Sequence, residues 1–162
     1  MGTFVGFIFT YLPFLVPIRK IKQNSFAVSM KHPVASYPNH VLIIPRKLAR
    51  SVFCLSANDF IKIIEMAKEI RNGDDRDFAL LINGGNRQDV MQAHFHLFTG
   101  NLVSKKGLSR ETGNTFNPED TNFWKQIISN LRELLKENFV TEQSFSVLMQ
   151  FEQGINSSVY FM

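Results

Sequence analysis

Cysteine is almost missing from this chain of 162 residues, since Cys54 is the only one. A single cysteine excludes an internal disulfide and also a zinc site built from several cysteines. It is compatible with a reducing compartment but does not require one. We therefore expect a cytoplasmic protein stabilised by an apolar core, and its 44% of apolar residues is ordinary for a globular domain.

Long clusters of basic residues are also missing. The net charge is +4 and the pI is about 9.3, a mild excess that suits a phosphate site but does not indicate a nucleic-acid binder. The chain contains neither internal repeats nor a low-complexity tract. Its length is that of one domain, and we expect its partner to be a small phosphate-bearing molecule rather than nucleic acid.

The N-terminus lacks the charge order of a signal peptide. Residues 1–18 are mostly apolar, and the charges of Arg19, Lys20 and Lys22 follow the apolar stretch instead of preceding it. The stretch is short for a membrane span and two prolines interrupt it. Two interpretations stay open: an apolar arm packed on the domain or a second subunit, or a membrane-surface anchor whose basic residues face acidic lipid. We assign residues 1–18 to this arm and 19–162 to a single domain.

The remaining sequence contains strand-like apolar runs and two amphipathic helices. Ser56 is a suitable N-cap for the first helix, Asp59 follows it as in a capping box, and Asn72-Gly73 ends the helix. The second helix is predicted around 123–135, after an exposed polar loop at 104–121. Strands are predicted at 25–32, 40–45, 77–83 and 90–98, with two more within 144–162 around Gly154. This order predicts an α+β fold with a largely antiparallel sheet.

The stretch "QAHFHLF" at 92–98 carries two of the four histidines. A strand turns alternate side chains to opposite faces. The apolar set is expected to face the core: Met91, Ala93, Phe95 and Leu97. The other set is expected to face solvent or a cleft, which places two imidazoles about 6–7 Å apart at their Cβ atoms: Gln92, His94, His96 and Phe98.

Two adjacent imidazoles suit three purposes, and the spacing alone does not choose among them. They can be ligands of a metal site, with His40 joining His94 and His96. They can act in phosphoryl transfer, one as nucleophile and one as hydrogen-bond donor to phosphate oxygens. They can also be polar residues on an exposed strand face, because short motifs match often by chance.

The surrounding residues resemble the active-site strand of the histidine-triad superfamily of nucleotide hydrolases and transferases. Its motif reads Gly-Gln-x-Val-x-His-x-His-x-His and two apolar residues, and "NRQDVMQAHFHLF" follows it from Gln88 to Phe98. Upstream, "YPNHVLIIPRK" resembles the second signature of that superfamily, Pro-Gly-His, three apolar residues and Ile-Pro-Lys-Lys. The matching positions there are Pro38, His40, Ile44, Pro45 and Lys47. The resemblance covers roughly 19–103 and implies a HIT-like fold with two main helices.

Three positions depart from that pattern. Gln92 stands where the first histidine of the triad is found, so this side chain can hydrogen-bond but cannot carry a proton. Arg87 replaces a glycine and adds a cation where phosphates would lie. His32 stands where family members place an acidic residue for a ribose hydroxyl, and it is a poorer acceptor for a diol. The resemblance therefore implies a retained phosphate half of the site.

The resemblance implies covalent catalysis by His94 and His96. His94 would attack the phosphorus of a nucleotide anhydride, ester or phosphoramidate, and His96 would donate to a phosphate oxygen. It also implies a nucleotide-like substrate, a homodimer, and no cofactor or metal at the site. The aromatic residues of the last two strands are expected in the core or in the subunit interface. The residues expected to contact substrate or orient the histidines are Gln88, Gln92, Asn83 and His40.

Two alternatives belong to other classes of function. The first is a nucleotide- or phosphate-binding module that has lost most turnover together with the first histidine. The second is a metal-binding protein that uses His94, His96 and His40.

Overall fold

The structure is a computed structural model that describes residues 20–32, 37, 39–71, 77–88, 90–105, 114–117, 120–152 and 157–162. The predicted arm at 1–18 therefore lies outside the described residues, as do the predicted turns at Asn72-Gly73 and Gly154. Within the described ranges, no helix is both long and apolar enough to cross a membrane.

In the part of the chain that the structure describes, eight strands form one sheet, and every pairing between them is antiparallel. The strands are β1 (Lys20–Gln23), β2 (Ala27–Lys31), β3 (Val41–Pro45), β4 (Phe78–Gly85), β5 (Phe95–Thr99), β6 (Asn114–Phe116), β7 (Ser144–Phe151) and β8 (Ser157–Phe161). Their order across the sheet is β1-β2-β3-β5-β4-β7-β8-β6. This confirms the predicted α+β class with a largely antiparallel sheet.

The helices are α1 (Ala57–Arg71), α2 (Leu102–Lys105), α3 (Thr121–Ser129) and α4 (Leu131–Glu137), with a short 3-10 helix at Val52–Cys54. The predicted capping box starts α1: Asp59 N donates to Ser56 Oγ at 3.2 Å, and Ser56 N donates to Asp59 Oδ2 at 2.9 Å. The single predicted helix around 123–135 is divided at Asn130 into α3 and α4.

The main core lies between α1, α3, α4 and one face of the sheet. Ile63 of α1, Phe95 of β5 and Val147 of β7 are almost fully buried there. Since strand side chains alternate, the intervening residues of β2, β3 and β5 point to the opposite face. That second face carries the histidines.

Two predicted boundaries are wrong. Strand β5 begins at Phe95 and not at 90, so the alternation expected for 91–94 does not apply, and Met91 is 48% exposed instead of buried. The segment 104–121, predicted as an exposed loop, contains β6, whose Phe116 is buried against Trp124 with ring centroids 4.5 Å apart. Short strands between polar neighbours give little periodic signal.

Candidate active site

The centre of the candidate site is a pair of buried histidines on neighbouring strands. His40 immediately precedes β3 and His96 lies within β5, opposite Leu42 of β3. His40 Nε2 and His96 Nδ1 are 2.9 Å apart, a hydrogen bond in which one ring donates and the other accepts. The sequence predicted both residues for the site, and the sheet register brings their rings together across the β3–β5 pairing.

A third histidine, His32, joins this pair from the position directly after β2. His32 N donates to His40 O at 2.9 Å, which continues the β2–β3 ladder by one position. The His32 and His40 rings are stacked, with centroids 4.2 Å apart and an interplanar angle of 10°. On its other side, His40 stacks on Phe98 at 4.3 Å. The His40 ring is thus stacked with both His32, which follows β2, and Phe98, which lies in β5.

Burial keeps the central pair uncharged. Desolvation lowers the pKa of His96 to about 3, and the neighbouring histidines His94, His40 and His32 add to this effect. Desolvation also lowers the pKa of His40 to about 4, with a further contribution from His32. Both rings are therefore neutral at pH 7.

His94 lies immediately before β5, beside His96, with ring centroids 4.9 Å apart at 64°. Its Nδ1 is 2.8 Å from the backbone oxygen of Gln92. A carbonyl oxygen only accepts hydrogen bonds, so Nδ1 must carry the proton. In the neutral ring the lone pair is then on Nε2, which is the atom suited to attack an electrophile.

The Gln92 side chain is directed away from the rings. It is 2% exposed, and its Nε2 donates to Pro45 O at 3.2 Å and Lys47 O at 3.0 Å. Its Oε1 accepts from Ala49 N at 3.3 Å. The glutamine amide thus anchors the loop after β3 to the approach of β5. The sequence-based expectation that Gln92 shares the outward face of a strand fails, because the strand starts three residues later.

Asn83 lies in β4 on the same face as the histidines. Ile82 pairs with Phe95, and the next residues away from that pair are Asn83 and His94. Asn83 Oδ1 accepts from Ser146 Oγ at 2.7 Å, and Arg87 Nη1 donates to Ser146 Oγ at 3.2 Å. The structure therefore places a hydrogen-bonded chain of polar groups next to the end of the β4–β5 pairing.

Gln88 belongs to the loop that supports this edge. Its Nε2 donates to Arg50 O at 2.7 Å and to Val90 O at 2.6 Å. Both acceptors are backbone atoms, so the amide nitrogen holds the loop in place. The predicted contact of Gln88 with substrate stays a prediction.

A cavity of about 310 Å³ opens beside His40 at the outer strands. It is lined by Lys20, Ile21, Lys31, Asn39, His40 and Val41. The lining contains two ammonium groups and no carboxylate, which favours an anionic occupant. Neither this cavity nor Ser146 was predicted from the sequence, because strand pairing brings together residues that are distant in the chain.

Within the described residues, three histidines lie close enough together to act as ligands of one metal ion. They are His32, His40 and His96, and one ligand atom from each lies within 4.8 Å of the others. The metal-site alternative drawn from the sequence used His94 in place of His32. The structure favours His32, because it is His32 and not His94 whose ring nitrogen lies within 4.8 Å of those of His40 and His96.

The antiparallel sheet, with His94 and His96 at the start of one central strand, is the arrangement that the resemblance to the histidine-triad superfamily implies. Comparison with known protein families gives the same assignment. The chain belongs to the HIT domain family, whose profile matches residues 16–102. It is similar to an uncharacterized HIT-like protein of Chlamydia trachomatis serovar D. The two are 32% identical over 88 residues, which cover 50% of this chain and 78% of that protein.

Solved structures share the fold at low identity. A histidine triad protein from Clostridium difficile superposes with a TM-score of 0.52 and 20% identity, over 58% of this chain and 90% of that one. Yeast Ap4A phosphorylase in complex with AMP gives a TM-score of 0.59 and 9% identity, over 99% of this chain and 64% of that one. These similarities confirm the HIT-like fold predicted from the sequence.

Proposed function

We propose that this protein transfers or hydrolyses a nucleotidyl group through a covalent intermediate on His94. The observation that carries the proposal is the hydrogen bond from His94 Nδ1 to the Gln92 carbonyl. It fixes the tautomer in which Nε2 holds the lone pair, and it limits rotation of the ring. A neutral imidazole held in this way is a nitrogen nucleophile that works near pH 7.

The reaction proceeds in two displacements. His94 Nε2 attacks the α-phosphorus of a phosphoanhydride, phosphoester or phosphoramidate, and the bond from phosphorus to the leaving group breaks. The nucleotidyl group is then bound to Nε2, while Nδ1 keeps its proton and the ring is cationic. Water or another acceptor attacks phosphorus, loses its proton to solvent, and the electrons of the N–P bond return to Nε2.

His96 supports the charge that develops on the phosphate oxygens. If His40 Nε2 donates to His96 Nδ1, the proton of His96 is on Nε2, where it can donate to a ligand. The low pKa of each ring means that this donor is neutral, so it stabilises charge through hydrogen bonding without titrating near pH 7. His40 thus acts as a positioning residue for His96.

The position of Gln92 limits the leaving groups. Its amide is used by three backbone contacts and cannot release a proton. Substrates whose leaving group departs as a stable anion, such as a polyphosphate or an aryl oxide, should therefore turn over faster than phosphoramidates or alkyl esters. The yeast phosphorylase of similar fold has been solved in complex with AMP and with Ap4A, which supports dinucleoside polyphosphates as the first compounds to screen.

The basic cavity beside His40 agrees with an anionic substrate. Lys20 and Lys31 supply two cations there, and a second phosphate group or a polyphosphate chain would be attracted to them.

The second candidate function is a nucleotide-binding module with little turnover. The burial of the Gln92 amide favours it, since no proton donor occupies the place of the first triad histidine.

The test is formation of the covalent intermediate. Purified protein is mixed with dinucleoside polyphosphates, nucleoside phosphoramidates or aryl nucleotides, quenched, and analysed by intact mass and peptide mapping. We expect a nucleotidyl adduct on His94 and turnover of at least one substrate. The His94→Asn variant should form no adduct and lose turnover by more than about a thousandfold, the scale of losing a catalytic group.

The matched readout is stability, because His94 precedes the strand and its ring lies outside the main core. His94→Asn should keep the free energy of unfolding of the wild type to within about 1 kcal/mol. Nucleotide binding without adduct or turnover would support the binding module instead. Activity of His94→Asn within tenfold of the wild type would exclude His94 as the nucleophile.

A further inference from the structure

Three histidines come together on one face of the sheet. His32 directly follows β2, His40 directly precedes β3, and His96 lies within β5. His40 and His96 are 6% and 8% exposed, and His32 is half-buried above them. One nitrogen of each ring lies within 4.8 Å of the other two. The proposed reaction uses His96 and, through it, His40, but it gives no role to His32.

We propose that His32, His40 and His96 form a reversible binding site for Zn²⁺ or a similar transition-metal ion. Three imidazoles are a ligand set for zinc, with the fourth position left to water or a substrate oxygen. Donors that are all imidazole suit Zn²⁺, Cu²⁺, Ni²⁺ and Co²⁺, whereas Mg²⁺ and Ca²⁺ require oxygen ligands.

The geometry needs only a small rearrangement. Two imidazole nitrogens on one tetrahedral Zn²⁺ lie about 3.3–3.4 Å apart, given bonds of about 2.0–2.1 Å. His40 Nε2 and His96 Nδ1 are 2.9 Å apart, so a metal ion replaces their hydrogen bond after the rings separate by about 0.4 Å. His32 must also rotate out of its stack on His40.

The hydrogen bonds around His40 and His96 affect how strongly the site binds an ion. The remaining ring nitrogens, His40 Nδ1 and His96 Nε2, are buried without a hydrogen-bond partner. Outer hydrogen bonds normally fix metal-binding histidines and strengthen the site. Without them we expect an exchangeable ion of moderate affinity.

This site has a consequence that rests on the proposed function. A metal ion on His96 Nδ1 takes the place of the hydrogen bond from His40 and leaves the proton of His96 on Nε2, so His96 can still donate to a phosphate oxygen and the bound ion should not abolish turnover. Metal binding itself is independent of the reaction and can be measured on protein without substrate. Failure of one proposal therefore leaves the other open to its own test.

The experiment is a titration with Co²⁺, whose visible absorption reports coordination geometry, followed by displacement with Zn²⁺. All proteins carry Cys54→Ser, because Cys54 is an exposed thiol that could bind the probe. We expect one ion per chain with the intense absorption of a four-coordinate complex. Neither Mg²⁺ nor Ca²⁺ should displace it, and Zn²⁺ should.

Three variants locate the ligands. His32→Asn should weaken Co²⁺ and Zn²⁺ binding by more than about a hundredfold, since loss of an outer partner alone costs about 10- to 100-fold. His32→Cys supplies another zinc ligand and should retain Zn²⁺ binding. His94→Asn should bind Co²⁺ as the parent does. Circular dichroism checks that each variant is folded.

Three results would contradict the proposed site of His32, His40 and His96. Absence of a four-coordinate Co²⁺ spectrum at millimolar ion would overturn it. So would His32→Asn binding within tenfold of the parent, because His32 would then not be a ligand. Loss of binding in His94→Asn, with His32→Asn unaffected, would assign the ion to His94, His96 and His40 instead.

Discussion

Gln92 contributes two groups to the site, and they do different things. Its backbone oxygen fixes the His94 tautomer, whereas its side-chain amide anchors the loop after β3. The sequence predicted the residue type and its place beside the histidines. It could not predict the partners of the amide, because they are backbone atoms of residues 43 to 47 positions earlier that only the fold brings near.

This anchoring predicts a large effect on stability from a nearly isosteric change. In Gln92→Glu, a carboxylate replaces the amide that donates to Pro45 O and Lys47 O, so buried oxygens face each other without a proton between them. We expect the free energy of unfolding to fall by at least about 2 kcal/mol. Urea denaturation with intrinsic fluorescence measures this.

The control is Gln126→Glu on the exposed side of α3, which should change the free energy of unfolding by no more than about 0.5 kcal/mol. If the two variants lose equal stability, the amide of Gln92 is not an anchor. The same contacts explain why a histidine at position 92 would not simply restore a triad, since an imidazole has two nitrogens and three contacts must be replaced.

His96 predicts a pH dependence of stability with a defined sign. Its pKa is lowered from 6.5 to about 3 by burial, so below pH 6.5 the unfolded chain binds a proton that the folded chain does not. The free energy of unfolding should therefore fall as the pH drops from 6.5 towards 3, with no contribution from His96 above that window.

His96→Asn removes this contribution. Between about pH 6 and pH 4 the slope of unfolding free energy against pH should become shallower by up to about 1.4 kcal/mol per pH unit. Urea denaturation of both proteins at several pH values gives the two slopes, and their difference cancels the carboxylates common to both. Identical slopes would mean that the ring is accessible to protons in the folded state.

At the scale of elements, periodicity predicted most of the fold. The apolar spacing of α1 and its capping box were correct, as were β3, β4, β7 and β8 to within a few residues. Strands β1 and β6 were missed because both are short and polar. The start of β5 was placed too early because apolar and polar residues also alternate at 90–94. In the structure these residues form a turn, and Ala93 N donates a hydrogen bond to Ala49 O instead of pairing in the sheet.

Close packing of β4 on β7 predicts a strict requirement for glycine at one position. Gly84 lies opposite Phe145, and a Cβ atom added to Gly84 would overlap the Phe145 ring, which is fully buried. Gly84→Ala should lower the free energy of unfolding by about 1–3 kcal/mol, the usual cost of overpacking. In a Phe145→Leu background the same change should cost less, and a double-mutant cycle by urea denaturation measures the difference. Additive effects would show that the ring is not the obstacle.

At the scale of the molecule, the two faces of the sheet have different roles. One face packs against α1, α3 and α4, and the opposite face carries the histidines. That opposite face also holds a buried apolar cluster that is separate from the main core: Val28, Met30, Leu42 and Ile44. Strand β1, which begins at Lys20, is the edge strand next to β2, to which Val28 and Met30 of this cluster belong.

Deleting residues 4–18 tests whether the arm packs on protein, as its two prolines and its limited length favour. If it covers apolar surface, its loss should lower Tm by at least about 4 °C, which corresponds to roughly 1–2 kcal/mol for a chain of this size. Fluorescence of an apolar dye should rise at the same time, because apolar surface becomes accessible. Flotation with acidic and neutral vesicles is the parallel measurement. Salt-sensitive binding of the full chain to acidic vesicles, lost on deletion while Tm stays constant, would instead identify the arm as a membrane anchor whose basic residues face acidic lipid.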